Sequence, residues 1–167
     1  MFVIITKQNE IKKSQQDSIM NALIKTHDFS KDNLSFLDTK PNTLISGLFT
    51  KINYSDAYLT MYGLYVNIPF ETNSHKNKLN AGVFRLMCDI EINILADYIK
   101  FRKLDPDKVN VAIKFGEYLQ NRFEIVNTAV VSTGACAYIK VSGVWENTTG
   151  NIGLSFRIVQ GECLQNR

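Results

Sequence analysis

The sequence predicts an α+β fold: an antiparallel sheet of at least two hairpins packed against two or three helices, one long and central. Three observations carry this. From Ala137 to Val159, apolar and polar residues alternate on both sides of a turn-forming connection, Glu146 to Asn151. From Leu44 to Phe70, two apolar runs flank the turn-like Tyr54-Ser55-Asp56. Between these regions, Val83, Met87, Ile90, Ile94, Tyr98 and Phe101 recur at helical spacing, so Val83 to Lys103 reads as the long helix.

Taken in order, Phe2 to Thr6 is a short apolar run expected to be a buried strand, followed by a modest amphipathic helix over Asp17 to Lys25. His27 to Asn42 reads as loop. Leu44 to Asn53 and Tyr58 to Phe70 form the first expected hairpin. Strict alternation puts Tyr62, Leu64, Val66 and Ile68 on one face of its second strand, with Met61, Gly63 and Tyr65 on the other. Neither face is clearly polar, which places that strand centrally or covers it on both sides.

Glu71 to Asn80 is the most loop-like segment. In the long helix, Phe84, Leu95 and Ile99 add a second stripe, an apolar surface wide enough to be buried on more than one side. Asp105-Pro106 opens a third helix, expected to run to Asn121-Arg122. Phe123 to Val131 is expected to be extended.

Length and composition constrain the class. The 167 residues suit one domain, 1–167, and the contents of 45% hydrophobic and 21% charged residues are those of an ordinary globular protein. No apolar run is long enough to span a bilayer, and the first residues lack the pattern of a secretory signal, so a non-secreted, intracellular protein without membrane insertion is expected. Three widely spaced cysteines, without a CxxC, read as free thiols in a reducing compartment. A net charge of +3 permits an anionic partner without requiring one.

Catalytic motifs are missing: the sequence has no GxGxxG, Walker loop, HExxH or GxSxG. No catalytic residue, metal ligand or cofactor is therefore assigned. Asp89, Glu91 and Asp97 read as the wet edge of the long helix, and a cysteine beside His75 would need spatial proximity to act as a nucleophile.

The functional lead is the outward face of the C-terminal ribbon. Alternation turns Ile139, Val141, Trp145, Ile152, Leu154, Phe156 and Ile158 inward, with Trp145 as core. It leaves Tyr138, Lys140 and Arg157 outward. A tyrosine ring with two cations can stack a base and neutralise adjacent phosphates, although such a face can also be solvated surface. Tyr62, Tyr65 and Lys51 of the first hairpin offer a second stacking surface, or core packing. Lys76 and Lys78, beside His75, offer a backbone clamp, or a solvated loop.

The stretch Lys140 to Val159, K-V-S-G-V-W-E-N-T-T-G-N-I-G-L-S-F-R-I-V, resembles the C-terminal hairpin of small proteins encoded by large DNA viruses, some of them DNA-binding. The resemblance implies a viral protein that coats nucleic acid or builds an assembly. Two functional expectations follow. One is a non-enzymatic single-stranded nucleic-acid-binding protein using Lys140, Arg157, Tyr138, Lys51, Tyr62, Tyr65, Lys76 and Lys78. The other is a structural or assembly protein that forms homo-oligomers through its apolar helix and sheet edges.

Overall fold

A computed structural model describes residues 24–57, 59–129 and 135–162. The fold is α+β, as expected. Its main sheet has eight strands and is packed by one long helix and one short one. The strands are β1 (Ile24–Lys25), β2 (Leu34–Pro41), β3 (Gly47–Ser55), β4 (Thr60–Tyr62), β5 (Leu64–Pro69), β7 (Asn110–Ala112), β9 (Ala135–Asn147) and β10 (Asn151–Glu162). Two more, β6 (Lys78–Asn80) and β8 (Glu124–Val126), pair in parallel as a separate small sheet. The helices are α1 (Ala81–Arg102) and α2 (Phe115–Arg122).

The long strand β9 is the spine. It pairs with β10 along its length, its first half pairs with β5, and its second half pairs with β3. All these pairs are antiparallel, whereas the marginal strands β1 and β7 join β5 and β10 in parallel. The hairpin connection is organised by Asn147, whose Oδ1 accepts from the backbone N–H of Thr149 and of Asn151 (3.0 and 2.9 Å). Gly150 follows at φ 80°, a conformation glycine adopts without strain.

One face of the sheet is covered by α1. Asn80 caps that helix by accepting from the Gly82 N–H at 2.8 Å, and Lys103 ends it in the left-handed conformation. Met87, Ile90, Ile94, Leu95 and Tyr98 bury against Leu64, Val66, Ile139, Val141 and neighbouring core residues. Each such side chain withdrawn from water contributes about 1.5–3 kcal/mol. The opposite side of α1 is more open, with Ile92 50% exposed.

Two polar clusters inside the core are paired, whereas the buried Oδ1 atoms of Asn53 and Asn67 accept no hydrogen bond from the described residues. The Tyr98 hydroxyl lies 3.3 Å from Thr50 Oγ1 and donates to Glu146 Oε2 at 3.1 Å, where the Arg102 guanidinium also donates. Glu91, fully buried on α1, accepts the backbone N–H groups of Lys114 (2.9 Å) and Phe115 (2.8 Å) and so closes the N-terminus of α2.

Several expectations are corrected. Leu34–Pro41 is a strand, not loop; a bulge after Phe36 breaks its alternation and hides it from a period-two reading. The stretch from Asp105 to Arg122 is not one helix. Asp105 does cap a turn by accepting from the Asp107 N–H, but Asn110–Ala112 then pairs with Asn151–Gly153, and the helix starts only at Phe115. That pairing depends on a distant segment, which local pattern cannot reveal. Ile24–Lys25 is extended beside Val66–Asn67 where the end of a helix was expected. The rest of that helix, the Phe2–Thr6 strand and Tyr58 lie outside the described residues.

Candidate functional site

The sheet face opposite α1 gathers most of the residues singled out above, through two breaks in strand alternation. The first is in β9. Ser155 pairs with Gly143 but the next residue, Phe156, pairs with Val141, so Ser142 is an extra residue. Alternation is inverted beyond it. Val144 enters the core and Trp145 turns outward, which corrects the expectation that Trp145 is core.

The second break is Gly63, at φ 96° between β4 and β5. Met61 and Leu64 both enter the core, so Tyr62 and Tyr65 both turn outward instead of lying on opposite faces. A Cβ on Gly63 would come within 2.8 Å of the Val141 carbonyl oxygen, so this crossover needs glycine.

The register then sets the outward side chains in rows across the sheet. Tyr65, Lys140 and Arg157 form one row, because Lys140 pairs with Tyr65 on one side and with Arg157 on the other. Tyr138 lies one row away, and its ring is 6.2 Å from that of Tyr65. Lys140 Nζ rests 5.0 Å from the centre of the Tyr65 ring. On the other side of Lys140 come Lys51 and Ser155, both opposite Gly143, and then Phe49 and Gly153, both opposite Trp145.

Two glycines let the last rings lie across the sheet. A Cβ at Gly143 would strike the Phe49 ring at 2.8 Å, and one at Gly153 would strike the Trp145 indole. Aromatic rings thus cover strand positions that have no side chain of their own. Beside them is a groove of about 1120 Å³ whose lining includes Phe49, Trp145, Tyr62 and Lys51 and reaches Phe36 of β2 and Phe101 of α1. Leu44 and Ile45, from the turn between β2 and β3, line its other side.

The electrostatics of this face are one-sided. Lys51, Lys140 and Arg157 form no ion pair with a carboxylate among the described residues. Elsewhere the cations Lys100, Lys108, Lys114 and Arg102 each have an acidic partner.

Lys76 and Lys78 are not brought to this face. Lys76 Nζ donates to the Gln120 carbonyl at the end of α2 (2.7 Å), and Lys78, in the small sheet, lies 3.7 Å from Glu71. Of the α1 carboxylates expected at the wet edge of the helix, Glu91 is instead fully buried and points inward to α2, while Asp97 pairs with Lys100 at 3.0 Å. Burial, and then the Glu91 and Asp89 carboxylates, push the Cys88 thiol up, opposite to the activation a nucleophile needs.

Trp145 and Phe49 are the residues that sequence reasoning missed as part of the face. Their signal was the spacing of Gly143 and Gly153, which marks strand positions that an aromatic neighbour can cover. Compared with protein-family models, characterised proteins and solved structures, the chain matches none.

Proposed function

We propose that the protein binds single-stranded nucleic acid on the sheet face opposite α1, without catalysing a reaction. The observation that supports this most is the row Tyr65–Lys140–Arg157, where two cations stand side by side, beside an aromatic ring and without a carboxylate. Like charges directly opposite one another on a sheet cost stability, and an anionic ligand offsets that cost.

Successive outward rows are two residues apart, about 6.7 Å along a strand. That step is comparable to the spacing of nucleotides in an extended strand. Bases stack on the exposed Tyr62 and the half-buried Tyr138 and Trp145, while phosphates meet Lys51, Lys140 and Arg157. A base that takes the face of Tyr65 displaces the Lys140 ammonium onto a neighbouring phosphate. Lys76 and Lys78 have no part in this reading, since they lie in other contacts. The setting is intracellular, and coating of a viral genome is one role such a face serves.

Fluorescence anisotropy with labelled single- and double-stranded oligonucleotides at two salt concentrations tests the proposal. Single strands are expected to bind more tightly, with affinity falling as salt rises. Absent or salt-independent binding to single strands refutes it.

A second reading, self-association, draws on β7, which ends the main strand order with Val111 and the following Ile113 exposed. Sedimentation velocity tests it, and a monomer at high concentration counts against it.

A further inference from the structure

The groove beside Trp145 differs from the rest of the face. The outward rows are open, whereas here the turn Asn42–Ser46 supplies a second wall. Asn42 fixes this turn twice: its N–H donates to the Gly47 carbonyl and its Oδ1 accepts the Leu44 N–H, both at 2.9 Å. Gly47 then approaches β9 so closely that a Cβ would collide with the Glu146 carbonyl oxygen. The turn is thus held against the strand that carries Trp145. At its tip Leu44 is 92% exposed, an apolar side chain almost wholly in water on the rim of an aromatic groove.

We propose that this groove holds an unpaired base of the bound strand between the Trp145 indole and the Leu44–Ile45 turn. The inference rests on the single-strand reading above and deepens it. Three features favour a nucleotide over an uncharged apolar occupant. The indole lies across Gly153, so the sheet backs the ring, and the same ring lines the groove, where a planar partner can stack on it. The lining carries two cations, Lys40 and Lys51, against one carboxylate, Asp38. The groove also adjoins the row that carries Ser155 and, two residues on, Arg157, so a chain leaving it meets further positive charge.

Trp145 is the only tryptophan in the chain, so its emission reports on this groove alone. The full chain is titrated with an end-labelled oligothymidylate and with an abasic oligonucleotide of equal length, reading label anisotropy and Trp145 emission together. The thymidylate is expected to quench Trp145 as anisotropy rises, and the abasic strand to bind more weakly without comparable quenching. Leu44→Ser/Ile45→Ser, which changes only exposed side chains, is expected to keep its thermal midpoint and bind at least about fivefold more weakly. Binding of thymidylate with unchanged Trp145 emission and an unaffected double variant overturns the groove and leaves the open face standing. Absence of any oligonucleotide binding overturns both.

Discussion

Lys140 lies directly opposite Arg157 across the terminal hairpin, and neither has a carboxylate partner among the described residues. Two consequences of this pairing can be measured separately. The first concerns ligand. If Lys51, Lys140 and Arg157 each neutralise one phosphate, the logarithm of the affinity falls with the logarithm of salt at a slope of about −2. Lys140→Glu/Arg157→Glu should weaken single-strand binding at low salt by at least about tenfold and flatten that slope to about −0.7. An unchanged slope removes these two residues from the interface.

The second consequence concerns folding. Arg157→Ser removes one of two facing positive charges from an exposed position. Relief of a directly opposed like-charge pair is worth about 0.2–1 kcal/mol. Urea denaturation at low ionic strength should therefore show the variant as stable as the parent or slightly more so, even as its affinity falls. High salt should erase the stability difference.

Glu91 ties α1 to α2 through two backbone N–H groups. Glu91→Ala leaves the buried Phe115 N–H and the part-buried Lys114 N–H without their acceptor and should cost about 2–4 kcal/mol. The pH dependence has a definite sign. Burial raises the Glu91 pKa, outweighing the opposing effects of the Lys114 and Phe115 N–H groups and the Lys114 charge. The folded protein thus holds this proton more tightly than the unfolded chain does. The associated stability is complete below the ordinary glutamate pKa and is lost as pH rises through the raised folded value. Unfolding curves of the parent and Glu91→Gln over a pH series should converge or cross as pH rises through that window. A parent advantage that grows with pH contradicts the assignment.

Two glycine substitutions should act with opposite sign. At Gly143 a Cβ would fall on the Thr50 carbonyl and within 2.8 Å of the Phe49 ring, so Gly143→Ala should cost about 2–4 kcal/mol. At Gly116, inside α2, the nearest atom is Cys88 Sγ at 3.5 Å, an ordinary contact. Gly116→Ala should stabilise by up to about 1 kcal/mol, since alanine loses less backbone entropy in a helix. Thermal denaturation of the two variants checks both signs.

The parts of the fold visible in the sequence were those governed by local pattern. The α1 helix showed because its apolar spacing is uninterrupted, and the terminal hairpin because Ile152, Leu154, Phe156 and Ile158 alternate without a break. What stayed hidden depended on irregularity or on distant partners. The bulge in β2 masked that strand, and the pairing of Asn110–Ala112 with β10 lies far outside any local window. At the candidate site, Tyr138, Lys140 and Arg157 were legible because they precede the Ser142 irregularity or lie on the unbroken partner strand. Trp145 was misplaced because it follows that irregularity, and Tyr62 and Tyr65 were separated because Gly63 lies between them.

The extra residue at Ser142 makes the long strand behave like a message with a frame. Upstream of it, odd-numbered positions from Ala137 to Val141 face the helix; downstream, the even-numbered Val144 does. Removing that single residue would keep the order of every other side chain yet shift the downstream frame, directing Trp145 toward the interior and Val144 toward solvent. One half of the sheet surface would then carry different chemistry without any substitution. For this protein, a change in length at position 142 is a larger event than most changes in identity around it.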